Sequence, residues 1–353
     1  MIPHIAAERL LNQRLARPSS GTVEDLLSWF GAVQAQEYDA AKWALALRLR
    51  GNVTADSIER AFNSGRILRT HVLRPTWHFV AAADIGWMLQ LSASRVRARL
   101  AYAYRYYGVD AATRVRAADL FARALTEGEP LTRRELGAYL ERFGLPGKGI
   151  PLAMLTIDAE LEGVICSGAQ RGKESTYALL ATRTAKREAL LRDEALAELT
   201  RRYFRSHGPA TIRDFVWWSG LSATDAKRGI EIVGARDEVI KGDRYWRTRR
   251  IRPSRPSSAM AFLLPIYDEY LVAYRDGEAV PRATDLRGSL GPAVIIDGQV
   301  AGTWKSVVKG GDVVVQVTGR RRLTTAEGDA LERAVERYGD HLGRSTSLLV
   351  KTN

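Results

Sequence analysis

An α+β fold of three tandem winged helices is the first expectation, and three observations predict it. Two or three helical patterns run into a short β-hairpin three times along the 353-residue chain, at intervals of roughly 70 to 90 residues. Each helical pattern opens on a Ser or Thr able to cap it. The C-terminal part then leaves the repeat for a β-rich element and a final helix. Residue identity between the copies is negligible, so the repeat is one of element order.

In the first copy the apolar periodicity of Val23 to Ala32 and a helix from near Thr54 precede two runs rich in β-branched and aromatic residues. These are Ile67 to Leu73 and Thr76 to Val80, broken by Arg74-Pro75. The second copy opens its middle helix at Thr132, with Glu135 placed to complete a capping box. A recognition helix is expected from Pro151 to Leu161, then a hairpin of Gly163–Ser167 with Ser175–Leu179 across Gln170 to Lys173. Helices over Leu190–Tyr203, Thr211–Trp218 and Ser222–Val233 make the third copy. Its wing pairs Asp237–Ile240 with Tyr245–Arg247 across Lys241 to Asp243. Beyond it, strands are expected at Ala293–Ile296, Gln299–Lys305 and Val313–Val317, with Asp297-Gly298 as a two-residue turn and a helix over Thr325–Tyr338. This unit is expected to pack on the third winged helix and present the Asp297-Gly298 and Lys309-Gly310-Gly311 turns to one side. The expected domains are 1–108, 109–184 and 185–353.

Hydrophobic residues at 46% and charged residues at 26% are ordinary for a globular chain, so this length predicts two or three domains with a sizeable core. The net charge of +13 favours a polyanionic partner. One cysteine, Cys166, excludes an intrachain disulfide and a thiolate-rich zinc site, and the five histidines lack zinc-ligand spacing. With no apolar run long enough for a bilayer and no signal-peptide pattern, a cytoplasmic, nucleoid-associated monomer without metal or cofactor is expected.

Basic residues gather where winged helices would meet a duplex. From Lys241 to Arg255 seven basic residues face one acid, Asp243, and include Arg244, Arg247, Arg249 and Arg250, with Tyr245 and Trp246 interleaved. Arg320-Arg321-Arg322 follows a strand, and Arg95, Arg97, Arg99 and Arg105 occupy one helix, where a plain solvated face is the alternative.

Gln34-Ala35-Gln36 stands between two helical patterns. Side chains at i and i+2 point to one side only on extended backbone; on a helix they diverge by about 200°. If both amides serve one site, this stretch breaks from helix. Capping of neighbouring backbone is the alternative.

Five ordered blocks carry a resemblance. They are Gln34-Ala35-Gln36, Leu73 to Phe79, Gly208 to Thr211 with Asp214 to Gly220, Leu264-Pro265 with Asp268-Glu269-Tyr270, and Asp297-Gly298 with Gly302 to Lys305. In these the chain resembles the winged-helix DNA glycosylases typified by AlkZ and YcaQ. The resemblance implies a C-shaped arrangement of three winged helices lining a basic channel. It also implies excision of alkylated purines, including interstrand crosslinks joined through N7. The family's Gln-apolar-Gln motif maps onto Gln34, Ala35 and Gln36. Arg74, His78, Lys241, Arg244, Arg247, Arg249, Arg250, Lys305, Arg320 and Arg321 are the expected contacts to double-stranded DNA. Pro75 and Trp77 stand where many relatives have Gly and Leu, and Lys305 where Arg is common.

Two amides can suffice for such chemistry. An amide is no general base, but an N7-alkylated purine already carries positive charge and leaves neutral, so no acid is required. What remains is to position water and to offer oxygen dipoles to an oxocarbenium-like sugar. Gln36 is assigned to water and Gln34 to orienting it or stabilising the cation, with Glu37 and Asp39 as candidate proton acceptors. Trp43 and Trp77 are read as core, and His78 as a strand contact or a hydrogen-bonded hairpin residue. The alternative function is a non-catalytic winged-helix regulator or architectural factor. A small-molecule enzyme has no phosphate loop, dinucleotide fingerprint or nucleophile motif to support it.

Overall fold

The computed structural model describes residues 3–126, 128–185, 189–249, 258–275 and 291–352. The chain begins with α1 (Pro3–Asn12), α2 (Val23–Phe30), β1 (Val33–Gln34), α3 (Tyr38–Ala46), α4 (Ala55–Asn63), β2 (Ile67–His71) and β3 (Trp77–Ala81). Then come α5 (Ile85–Tyr106), α6 (Ala111–Ala124), β4 (Leu131–Thr132), α7 (Arg133–Glu141), α8 (Gly149–Leu161), β5 (Ile165–Ser167) and β6 (Thr176–Leu179). A third run holds α9 (Leu180–Arg183), α10 (Arg192–Ser206), α11 (Ile212–Ser219), α12 (Ala223–Val233), β7 (Arg236–Ile240) and β8 (Asp243–Arg247). The rest is β9 (Ala261–Leu264), α13 (Glu269–Val272), β10 (Ala293–Ile296), β11 (Gln299–Lys309), β12 (Asp312–Gly319), α14 (Thr325–Leu342) and β13 (Thr346–Thr352).

One connectivity recurs. A two-residue strand before the helices pairs with the second strand of the hairpin that follows them, giving sheet orders β1-β3-β2 and β4-β6-β5. In the third run the bridge Ala210↔Trp246 takes the place of that short strand. Thr22, Thr132 and Thr211 cap their helices through reciprocal bonds with Asp25, Glu135 and Asp214. The cap rule fails at α10, which starts after Leu191, and at α3, where Glu37 makes no side-chain cap.

Three expectations are corrected. The helix expected to read DNA in the second copy, α8, is buried from Met154 to Leu161, and its Asp158 and Glu160 serve as interior acceptors. The wing turn is Lys241-Gly242 alone, because Ile240 pairs with Asp243 and both turn residues have positive φ. The Asp297-Gly298 turn forms with φ values of 48° and 82° but tucks against Ala6 and Leu10 of α1. Successive turns of an antiparallel meander lie at opposite ends of the shared strand, so Gly310-Gly311 projects from the other end. The C-terminal sheet has the order β13-β12-β11-β10-β9, with β13 parallel to β12.

Two cores result. One joins β2, β3 and α5 to α6, α8, α10 and α11, so the repeated units share one interior. The other packs the C-terminal sheet and α14 against α1 and α3, so this unit rests on the N-terminal part of the chain and not on the third helical run as the sequence suggested. Between α3 and α13, Arg48 binds Asp268 through two N–H···O bonds of 2.8 and 2.7 Å, and the pair is 1% and 0% exposed. Removing one partner strands a buried charge. Asp268→Ala should therefore cost about 3–5 kcal/mol, read as a lower urea midpoint. Breaking the exposed Arg228–Asp193 pair should leave that midpoint essentially unchanged.

Candidate active site

Extended backbone carries the glutamine motif. Gln34 pairs with His78 in the β1–β3 register, the Ala35 N–H donates to the Trp77 carbonyl at 2.7 Å, and Glu37 is extended at φ −100°, ψ 106°. Period two then turns Gln34 and Gln36 to one face, both partly exposed, while Ala35 points into the core. The requirement that this segment leave helix is met.

Each amide is oriented through its oxygen. Arg74 donates to Gln34 Oε1 at 2.7 Å, and the Trp77 backbone N–H donates to Gln36 Oε1 at 3.3 Å. Arg69 braces the strand from behind, donating to the carbonyls of Ala35 at 2.9 Å and Gln36 at 3.2 Å while lying 4.0 Å over the Trp77 ring. Among the described residues neither amide nitrogen has a protein partner, and each oxygen keeps a second lone pair. Glu37 is exposed, and Asp39 is paired with Lys42 at 2.8 Å.

Behind the motif lies a carboxylate to which the sequence assigned no role. Glu269, at the first position of α13, is 0% exposed. Its Oε1 accepts the Gln34 backbone N–H at 2.7 Å; its Oε2 accepts the Trp218 indole N–H at 2.9 Å and meets His207 Nε2 at 3.3 Å. Burial pushes its pKa up, but the His207 contact, the Arg74 charge and the Gln34 N–H outweigh this and hold it at about 2. The signals available were its place in the Asp268-Glu269-Tyr270 block and its setting, since Asp268 and Glu269 are the only charged residues in the apolar run from Phe262 to Ala273.

Several expected DNA contacts are not available to DNA. His78 is 0% exposed, donates from Nδ1 to the Thr76 carbonyl at 2.8 Å and turns Nε2 to Arg74. Burial first, then the Arg74 charge, pushes it down to about 3, so the ring is neutral. Arg74 is buried because its work is on Gln34. It follows Leu73, whose carbonyl would lie 2.1 Å from a Cβ on Gly220, so only glycine lets α11 end here. Arg247 is buried too, held by Glu8 at 3.0 Å and by Glu238, because strand alternation puts it on the inner face with Tyr245. Tyr245 is accordingly core and does not interleave with the charges.

Other basic residues remain outward. Arg244 and Arg321 are exposed but paired with Asp237 and Glu327. Lys241, Arg249, Lys305 and Arg320 are exposed and have no ion pair among the described residues. Arg250 lies outside the described residues. Lys305 lines a 540 Å³ cavity with Asp39, Lys42, Trp304 and His341, beside the helix that follows the motif. A larger cavity of 1310 Å³, lined by Trp87, Leu190 and Ile232, shares no residue with the motif. Trp43 is core, its indole N–H donating to the Leu263 carbonyl at 2.7 Å, while Trp77 is half-buried under Arg69. Among the described residues no three His, Cys, Asp or Glu side chains converge as a metal would require, and no helix is long and apolar enough to cross a membrane.

Comparison with known proteins gives one consistent result. The family described as DNA glycosylase AlkZ-like matches residues 27–341. A curated relative, the interstrand DNA cross-link repair glycosylase of Streptomyces sahachiroi, is 26% identical over 98% of this chain and 96% of its own. The solved structure of Streptomyces sahachiroi DNA glycosylase AlkZ superposes with a TM-score of 0.81 at 23% identity, covering 99% of both chains.

The buried titratable groups fix the acid response. His78 takes a proton near its ordinary 6.5 when unfolded but only near 3 when folded. Between those values the folded state binds fewer protons, so its stability is lost as pH falls, by up to ~1.4 kcal/mol per pH unit. Glu269 adds a loss of the same sign between its ordinary 4.5 and about 2. The urea midpoint should fall from pH 6.5 to 4.5, and His78→Gln should flatten that fall. An unchanged slope in the variant contradicts the assignment.

Proposed function

Since the chain belongs to the AlkZ-like family of DNA glycosylases, we propose that it is a monofunctional glycosylase of base excision repair. It hydrolyses the N-glycosidic bond of cationic N7-alkylated purines in double-stranded DNA, interstrand crosslinks included. The observation that carries this is the pair of partly exposed amides on one strand face, each oriented through its oxygen. The chain acts as a monomer in the cytoplasm, at the nucleoid. Its three repeated units are winged helices at 1–108, 109–184 and 185–353, set in a C around the duplex. The recurring strand connectivity supports this division.

Gln36 holds the attacking water through the free lone pair of Oε1, and Gln34 orients that water and offers its amide dipole to the sugar cation. Arg74 by itself would repel a cationic substrate. Glu269, anionic and one hydrogen bond behind Gln34, offsets that charge and leaves the motif near neutral. Because the N7-alkylated base leaves neutral, no general acid is needed. Lys241, Arg244, Arg249, Lys305, Arg320 and Arg321 grip phosphates without reading sequence, and Arg250 joins them. Because a crosslinked base cannot leave the duplex freely, catalysis proceeds in an open channel and not in a flipping pocket.

A duplex containing N7-methylguanine should acquire abasic sites when incubated with the protein. Gln34→Ala and Gln36→Ala should each slow release roughly 10²-fold, as loss of one preorganised dipole does. Tight binding without release, unchanged in both variants, would instead identify a non-catalytic DNA-binding protein. Uracil, a neutral base, should stay attached over the same period, and its release at a comparable rate overturns the mechanism.

A further inference from the structure

Arg95, Arg99, Tyr102 and Tyr106 follow one another along α5 at spacings of four, three and four, which sets them on one helix face. All four are exposed, Tyr102 at 71% and Tyr106 at 69%. Their phenol rings stack on each other, 6.0 Å between centroids and 22° between planes. Arg95 and Arg99 have no ion-pair partner among the described residues. Arg97, two positions from both Arg95 and Arg99, is held by Asp158 and Glu162 and is not part of this face.

The stripe begins beside the motif. Ser92 of α5 accepts the Leu73 N–H at 3.1 Å, Arg95 Nε donates to the Gly220 carbonyl at 3.5 Å, and the Arg99 charge is felt at Arg74. From Arg95 the face runs about 16 Å to Tyr106 at 1.5 Å per residue. That is the rise of about five nucleotides along one strand. Two guanidiniums without an acidic partner among the described residues, followed by two stacked, exposed rings, are a phosphate grip followed by a π-platform. In a duplex both faces of a base are covered by its neighbours, so such a platform fits only a base that has lost its pairing.

We propose that this face of α5 binds single-stranded DNA flanking the lesion, with phosphates on Arg95 and Arg99 and an unpaired base on Tyr102 and Tyr106. The proposal rests on the glycosylase reading for the word lesion, but the surface acts through undamaged DNA and is tested without catalysis. Occupied in this way, the enzyme favours a lesion beside a fork or gap over one in continuous duplex.

Fluorescence anisotropy on an undamaged forked duplex and a fully paired duplex of equal length separates the contributions. Tyr102→Ala/Tyr106→Ala should weaken fork binding roughly tenfold and leave the paired duplex unchanged. Arg95→Gln/Arg99→Gln should weaken fork binding and reduce the magnitude of its log–log salt slope by about 1.4. All four side chains are exposed, and matching thermal midpoints confirm that the variants fold. An unchanged fork-to-duplex ratio in the tyrosine variant overturns the proposal, and so does an unchanged salt slope in the arginine variant. Release of N7-methylguanine from paired duplex, measured in parallel, is expected to stay at the parental rate in the tyrosine variant. Absence of release by the parent protein would sink the glycosylase reading and leave the fork measurement standing.

Discussion

The Glu269 carboxylate has no contact with solvent, and its desolvation costs several kcal/mol that only well-placed donors can offset. Its donors come from separate parts of the chain: the Gln34 N–H of β1, the Trp218 indole of α11 and the His207 ring at the end of α10. The first of these belongs to the glutamine motif itself. The position of α13 is fixed in turn by the adjacent Asp268, which takes Arg48 in a buried two-point contact. Two consecutive acids thus tie the first unit to the third and to the C-terminal extension at the place where the amides are displayed. If Glu269 moved, Gln34, Arg74 and Trp218 would each lose a partner or a compensating charge.

The fate of the arginines follows from the same economy of buried charge. A net charge of +13 reads as a DNA-facing surface, yet Arg48, Arg69, Arg74 and Arg247 are all buried. Others hold helix ends: Arg337 donates to the carbonyls of Ala46, Leu47 and Leu49, each at 3.0 Å, and Arg183 to those of Phe62 and Asn63. A planar guanidinium with five donors can satisfy several carbonyls at once, which an ammonium does less well. Arginine in this chain is therefore to a large extent a staple within the fold. The residues left for DNA are fewer than the composition suggests.

Local chemistry made much of this readable. Thr132 with Glu135, Ser222 before α12 and the Asp297-Gly298 turn each declare their structure within a few residues, and the hairpins declare theirs by β-branched runs. The extended motif followed from asking that two amides share one face. Strands of two residues, such as β1 and β4, are too short to carry a period, and β13 is specified by its parallel partner β12. The inward turn of Arg74, His78 and Arg247 depends on partners elsewhere in the fold, and the Gln34–Glu269 bond spans 235 positions. Composition has no access to such contacts. The isolation of two acids in an apolar run, and their place in one of the blocks that carry the resemblance, hinted at them without naming a partner.

Single-turnover release of N7-methylguanine by Glu269→Gln, measured beside its affinity for the same duplex, tests most directly whether the buried carboxylate poises the amides. The variant keeps the side-chain shape but removes the charge that offsets Arg74 and faces Trp218 and His207. Release should slow at least roughly tenfold while affinity for DNA stays within a factor of about two and circular dichroism stays native. Release at the parental rate from a natively folded variant would contradict the dependence of the glutamine pair on Glu269.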